Sequence, residues 1–224
     1  MRNAIASFPV ELGFIEKGRW CPAEDLAQRA PLGVLVVEGA LLRELSIGPR
    51  ISAEIVGTGD LSRPWDDSDL IPTEARASWQ ALDAVTLVLL DVRVARLGGR
   101  YPEVASELLG RSLRRSRLLA YQQLITSYRD MERRLMALFG LLARRWGRVR
   151  HDGVYVPLQL RHHHVAGMIS ARRPSVSHRL TRLAAHGLVG RTEGGWLVDP
   201  ILLDEVPIPG EGRDEPADPA ADAR

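Results

Sequence analysis

Between Gly33 and Asp91 the chain alternates short apolar runs with turn residues. Val34 to Val37 meets Glu38-Gly39, Ala40 to Leu45 follows, Ile47-Gly48-Pro49 interrupts, and the segments ISAEIVGTGDL and ASWQALDAVTLVLLD continue the series. Runs this short, at this spacing, predict antiparallel strands closed into a small barrel or sandwich. Gly57, Gly59 and Asp60 mark a further turn. The first thirty residues carry less pattern, with Pro22-Ala23-Glu24-Asp25 reading as a short helix start. Gly98-Gly99 reads as the end of the β region.

The period then changes. From Glu103 to Trp146 the only glycines are Gly110 and Gly140, there is no proline, and apolar residues recur at helical spacing: Val104, Leu108, then Leu109, Leu113, then Leu124, Tyr128, Met131, Leu135, Leu138 and Leu142. This predicts one long helix or two consecutive ones, broken near Ser127 to Asp130, with Pro102 in the first turn where its missing N–H costs nothing. Leu108 and Leu118 or Leu119 recur along a face left over after the core stripe is used, which predicts packing against a second copy of the chain. Arg111, Arg114, Arg115 and Arg117 argue against full burial of this helix.

Beyond Trp146 the elements shorten again. Asp152-Gly153 between Val149 and Val154 is a hairpin signal. Arg161 to Ile169 reads as a helix with Val165, Met168 and Ile169 inward, and Pro174 to His186 as a second with Val176, Leu180 and Leu183 inward, stopped by Gly187. Leu188-Val189, Gly194-Gly195 and Trp196 to Val198 make a last hairpin. Hairpin, helix, turn, helix, hairpin is the order of a winged helix-turn-helix, whose second helix enters the major groove of DNA. The tail from Pro207, rich in Pro, Gly, Ala, Asp and Glu, has too little apolar surface to order itself.

Composition changes the picture at three points. With 45% hydrophobic and 26% charged residues over 224, the chain reads as a globular protein. It has no apolar run of membrane length, and its start lacks the layout of a signal peptide, so no membrane partner and a cytoplasmic location are expected. The single cysteine, Cys21, excludes an internal disulfide or a multi-thiolate metal site. The net charge of +2 hides a strong asymmetry: residues 144–191 hold ten arginines against one acid, Asp152, together with all six histidines. Such a block is the footprint of a polyanion, because each arginine set against a phosphate releases condensed counterions. A solvated basic face without a partner is the alternative, and the helix-turn-helix pattern decides against it.

The stretch Ser170-Ala-Arg-Arg-Pro-Ser-Val-Ser-His-Arg-Leu-Thr-Arg-Leu, followed by Ala184-Ala185-His186-Gly187-Leu188-Val189, resembles the recognition helix and wing entry of Crp/Fnr-type bacterial transcription regulators. Upstream the resemblance extends more weakly over the whole chain. It implies an α+β protein: a β-roll (jelly-roll) sensor of the cyclic-nucleotide-binding type over 1–100, a dimerisation helix over 101–130, a winged helix-turn-helix over 131–200 and the tail over 207–224. The implied function is transcription regulation by a homodimer on a two-fold symmetric operator in double-stranded DNA, with RNA polymerase as a further partner.

Position by position, Arg173 at the entrance of the helix from Pro174 suits a bidentate pair to guanine, and His178 a base edge. Ser175 and Ser177 suit phosphate or base, and Arg172, Arg179 and Arg182 suit phosphates. Arg161 and Arg172 stand at helix entries where the family commonly has Ser or Thr, so the side-chain cap expected there is missing. The family's nucleotide pocket uses Gly-Glu for the ribose and an arginine element for the phosphate. Here Gly59-Asp60-Leu61 lacks the glutamate, and Arg76-Ala77-Ser78 is at most a remnant of the second element. No cofactor is therefore expected, cyclic AMP in the usual pose least of all, although Trp65 and Trp79 could line an apolar cavity. A regulator without an effector, and a protein-interaction module with an acidic partner, remain as alternatives.

No enzyme is expected. A cupin would need histidines on its barrel strands, and residues 1–150 contain none. Asp66, Asp67 and Asp69 read as a solvated turn. No metal site is expected at His162-His163-His164 either, since consecutive helical positions diverge by about 100° and no other ligand is spaced to join them.

Overall fold

The fold is described from a computed structural model, which covers residues 9–22, 25–65 and 75–204. Asp66, Asp67, Asp69 and the tail over 207–224 lie outside these residues. Eight strands build the first part: β1 (Glu11–Ile15), β2 (Gly18–Trp20), β3 (Val34–Glu38), β4 (Ala40–Ile47), β5 (Arg50–Gly57), β6 (Leu61–Ser62), β7 (Ala75–Ala81) and β8 (Val85–Leu89). They form two four-stranded antiparallel sheets, ordered β1-β8-β3-β6 and β2-β7-β4-β5. Alternation along each strand sends Val34, Val36, Leu41, Val56, Trp79, Ala81, Val85, Leu87 and Leu89 into the space between the sheets. The expected roll is thus present, with β1 and β2 added from the segment whose pattern was weak. Helix α1 (Leu26–Arg29) follows the proposed start at Asp25.

Helix α2 (Val92–Arg100) corrects the expectation that Gly98-Gly99 ends the β region: both glycines lie inside it. Its start is fixed by Asp91, whose side chain accepts from the backbone N–H groups of Arg93 and Val94. Helix α3 (Pro102–Ser127) and helix α4 (Met131–Trp146) follow, broken where the sequence predicts, with Asp130 accepting from Glu132 N–H. Then come β9 (Arg148–Arg150), β10 (Gly153–Val156), α5 (His162–Met168), α6 (Arg173–Ala185), β11 (Val189–Thr192), β12 (Gly195–Val198) and α7 (Ile201–Asp204). Strands β9 to β12 form one sheet, ordered β11-β12-β10-β9. Gly187, at φ +74°, ends α6 as expected of a glycine in the left-handed region.

A second core joins the two parts. The outer face of β4 and β5, carrying Leu42, Ala53 and Ile55, clusters with Ile125 of α3, Leu135, Leu138 and Leu142 of α4, Val165 of α5, Val176 and Leu180 of α6, and Trp196 of β12. Gln122 of α3 stitches the same seam, donating from Nε2 to the carbonyls of Ala53 at 2.6 Å and Met168 at 3.2 Å. Charged groups are buried here as well. Glu54 pairs with Arg43 and with Arg115 of α3, each at 2.8 Å, and Asp60 pairs with Arg145 of α4. The pairs with Arg115 and Arg145 cross from the roll to the helices, whereas Arg43 and Glu54 face each other within the sheet.

On the long helix the two alternatives for the proposed contact face part, with Leu119 exposed. Leu108 is half-buried, and Leu118 packs on the core that joins the two parts. One exposed side carries Leu109 (61%), Leu113, Leu124 and, just beyond the helix, Tyr128. Among the described residues no helix is long and apolar enough to cross a membrane.

Candidate nucleic-acid interface

Helices α5 and α6 are joined by a tight turn at Ile169 to Arg172, in which Ser170 takes φ +53°. On α6 the apolar residues Val176, Leu180 and Leu183 are buried at helical spacing, as the sequence predicts. The opposite face presents Arg172, Arg173, Pro174, Ser175, His178, Thr181 and Arg182, all exposed. Thr181 was not among the expected contacts, although its place one turn after His178 was the signal for it.

Three of the proposed contact residues are already engaged. Ser177 is half-buried, with its Oγ 2.8 Å from Nδ1 of His162. Arg179 pairs with Glu132 of α4 at 3.1 Å, and Arg182 reaches the same carboxylate through Nε at 3.2 Å. Arg182 uses one edge of its guanidinium there and keeps its terminal nitrogens for a second acceptor. Arg173 makes no ion pair among the described residues. Neither Arg172 nor Arg161 supplies a side-chain cap, as expected. At α5, however, the reciprocal half of a capping box is present: Nδ1 of His164 accepts from the backbone N–H of Arg161 at 3.2 Å.

The histidines differ in environment. Burial holds the His162 imidazole below its ordinary value, helped by the positive charges of Arg191 and Arg173. His164 is 1% exposed, and burial, with His163 and Arg161 beside it, pulls it down to about 4, so it is neutral at physiological pH. The expected divergence of the three histidines does not hold for His163 and His164, whose ring centroids lie 4.0 Å apart.

Beside α6 stands the hairpin β11–β12, with Trp196 fully buried and packed on Phe139 at 4.9 Å between ring centroids. Arg191 lies over Trp196 and donates to the Leu160 carbonyl at 2.9 Å, while Arg150 lies over Tyr155. The hairpin and the two helices therefore share one core, which holds the exposed face of α6 on a firm base.

In the roll, the two remnants of a nucleotide pocket are far apart in register. Arg76 is exposed on β7, opposite Ser46 near the far end of β4, whereas Gly57, just before the Gly59-Asp60 turn, pairs with Ala40 at the near end. Asp60 accepts from Gly57 N–H at 2.8 Å and is held by Arg145 and Arg115. Trp79 is buried edge-on against Trp20 at 5.8 Å between ring centroids, and Trp65 packs on the same core. Among the described residues the three indoles thus pack on the core between the sheets.

A two-sheet roll, a long helix and a winged helix-turn-helix, in that order, define the fold of the Crp/Fnr-type transcription regulators, and this chain has that fold. It is similar over 92% of its length to a cyclic nucleotide-binding domain-containing protein from Listeria monocytogenes, at 16% identity, 97% coverage of that chain and a TM-score of 0.66. A CRP-family transcriptional regulator from Thermus thermophilus matches at 18% identity over 87% of this chain and 95% of that one, with a TM-score of 0.61. A CooA variant from Carboxydothermus hydrogenoformans matches at 22% identity over 88% and 87%, also with a TM-score of 0.61. No protein-family model matches the sequence, and no curated protein matches it.

Proposed function

We propose that the protein is a sequence-specific DNA-binding transcription regulator that acts as a homodimer and not as an enzyme. The observation that carries this is the exposed polar face of α6, where Arg172, Arg173, Ser175, His178, Thr181 and Arg182 stand opposite the buried stripe Val176, Leu180, Leu183. On the second helix of a helix-turn-helix, such a face reads base edges in the major groove while flanking arginines meet phosphates. Arg173 and His178 are the proposed readers. Arg172 and Arg182 are the proposed phosphate contacts, Ser175 serves either group, and Thr181 joins them. Ser177 and Arg179 act in this account through His162 and Glu132, holding the helix in place.

The homodimer is supported by the exposed row Leu109, Leu113, Leu124 on α3, an apolar stripe that the described residues leave uncovered. The roll is proposed as a scaffold without cyclic AMP in the usual pose, since Asp60 is spent on arginines and the Gly-Glu element is missing. RNA polymerase remains the further partner that the family resemblance implies. The test is selection of bound duplexes from random DNA by the purified chain. A consensus of two symmetric half-sites about 10 base pairs apart is expected; an unenriched pool would overturn the proposal.

A further inference from the structure

The roll and the helix-turn-helix meet where α5 crosses β5, and the closeness of that crossing has a local cause. A Cβ placed on Gly167 would come 2.9 Å from the Cβ of Ala53, so the helix reaches the sheet because residue 167 is glycine. The cross-strand partner of Ala53 is Glu44, which shares the outer face of β4 with Leu42. One turn before Gly167 on α5 stand His163 and His164, and side chains on a helix lean toward its N-terminus, over that same part of the sheet.

We propose that Glu44, His163 and His164 form a binding site for a divalent transition-metal ion of the zinc type, clamped between the roll and the helix-turn-helix. One ligand atom from each of the three residues lies within 4.8 Å of the other two. Two imidazoles and one carboxylate are a donor set that zinc accepts with a fourth position left for water, whereas calcium and magnesium take oxygen ligands. The three residues divide the work. His164 is buried, and so supplies a ring fixed in place. His163 is exposed and Glu44 half-buried, which leaves both free to close the remaining distance. Coordination by His164 gives up its hydrogen bond from Arg161 N–H, a single contact at 3.2 Å. The nearby Arg161 opposes the ion, and the Glu44 carboxylate offsets it. An ion held here ties the outer face of the roll to the helix that precedes the proposed reading helix.

The site stands independently of the DNA-binding proposal, because it is read with metal alone. The purified full-length chain is titrated with Zn2+ against a chromophoric chelator, and with Co2+ by visible absorption. Glu44→Gln and His163→Gln, both outside the packed core, are carried alongside, with circular dichroism to show that they fold. One ion per chain is expected, with affinity lowered at least about tenfold in each variant. The proposal is overturned by absence of stoichiometric binding. It is equally overturned by affinity undiminished in either variant, which would place the ion elsewhere, at Cys21 or the remaining histidines.

Discussion

Arg173 and Arg182 stand on one helix and meet DNA differently in this account. Arg173, with no ion pair among the described residues, is assigned to a base edge, while Arg182 shares Glu132 with Arg179 and is assigned to phosphate. Arg173→Ala is expected to cost about 1–3 kcal/mol on the selected operator and little on scrambled DNA. Arg182→Ala is expected to weaken all sequences alike and to lower the salt slope by about one charge. Fluorescence anisotropy over a salt series checks both; equal losses on the two DNAs for Arg173→Ala would remove it from the base-reading role. A different residue tests the fold. Burial raises the Asp91 carboxyl, but the Arg93 guanidinium and two backbone N–H groups outweigh this and hold it below its ordinary value. A carboxylate with a lowered folded pKa stabilises fully above its unfolded value and loses that contribution as pH falls through the folded one. Asp91→Ala should therefore cost about 1 kcal/mol at neutral pH, and the gap in melting temperature from the parent should shrink below about pH 4.

Helices were legible wherever their buried face is purely apolar. The stripe Val176, Leu180, Leu183 with Gly187 as the stop is such a case, and so is the break between α3 and α4. Elsewhere the rule that polar residues face water misleads. On α3 the inward stripe includes Arg115, paired with Glu54 of a distant strand, so apolar spacing alone did not show whether Leu108 and Leu118 or their neighbours Leu109 and Leu119 face the core. For α2, two glycines in sequence have the look of a breaker, but Asp91 caps the start of the helix and Gly98 lies against Ala105 of α3. The exposed row on α3 gives a sharp expectation. In the proposed dimer Leu113→Glu would set like charges against each other, and a monomer by light scattering at micromolar concentration is expected. Affinity for a two-half-site operator should fall accordingly, and a persisting dimer would exclude this face.

At the scale of the whole molecule, much of what joins the two parts was beyond the reach of sequence, because it depends on residues far apart in the chain. Nothing local pairs Asp60 with Arg145, Gln122 with Ala53 and Met168, or Glu44 with His163 and His164. The family resemblance supplied the order of the domains but not this seam. Gly167→Val tests it: the added side chain overlaps Ala53 and should cost about 1–3 kcal/mol. In calorimetry the roll and the helical part should then melt as separate transitions. A single unshifted transition would mean that the crossing of α5 over β5 is not close in solution.

The central claim is that α6 reads sequence rather than merely attracting phosphate, which ten arginines between residues 144 and 191 would do unaided. The affinity of the parent chain for its selected operator and for a scrambled duplex of equal length, at one near-physiological salt concentration, decides it. A ratio of at least about 10³ in favour of the operator is predicted. Equal affinities would contradict the claim and leave only a basic surface.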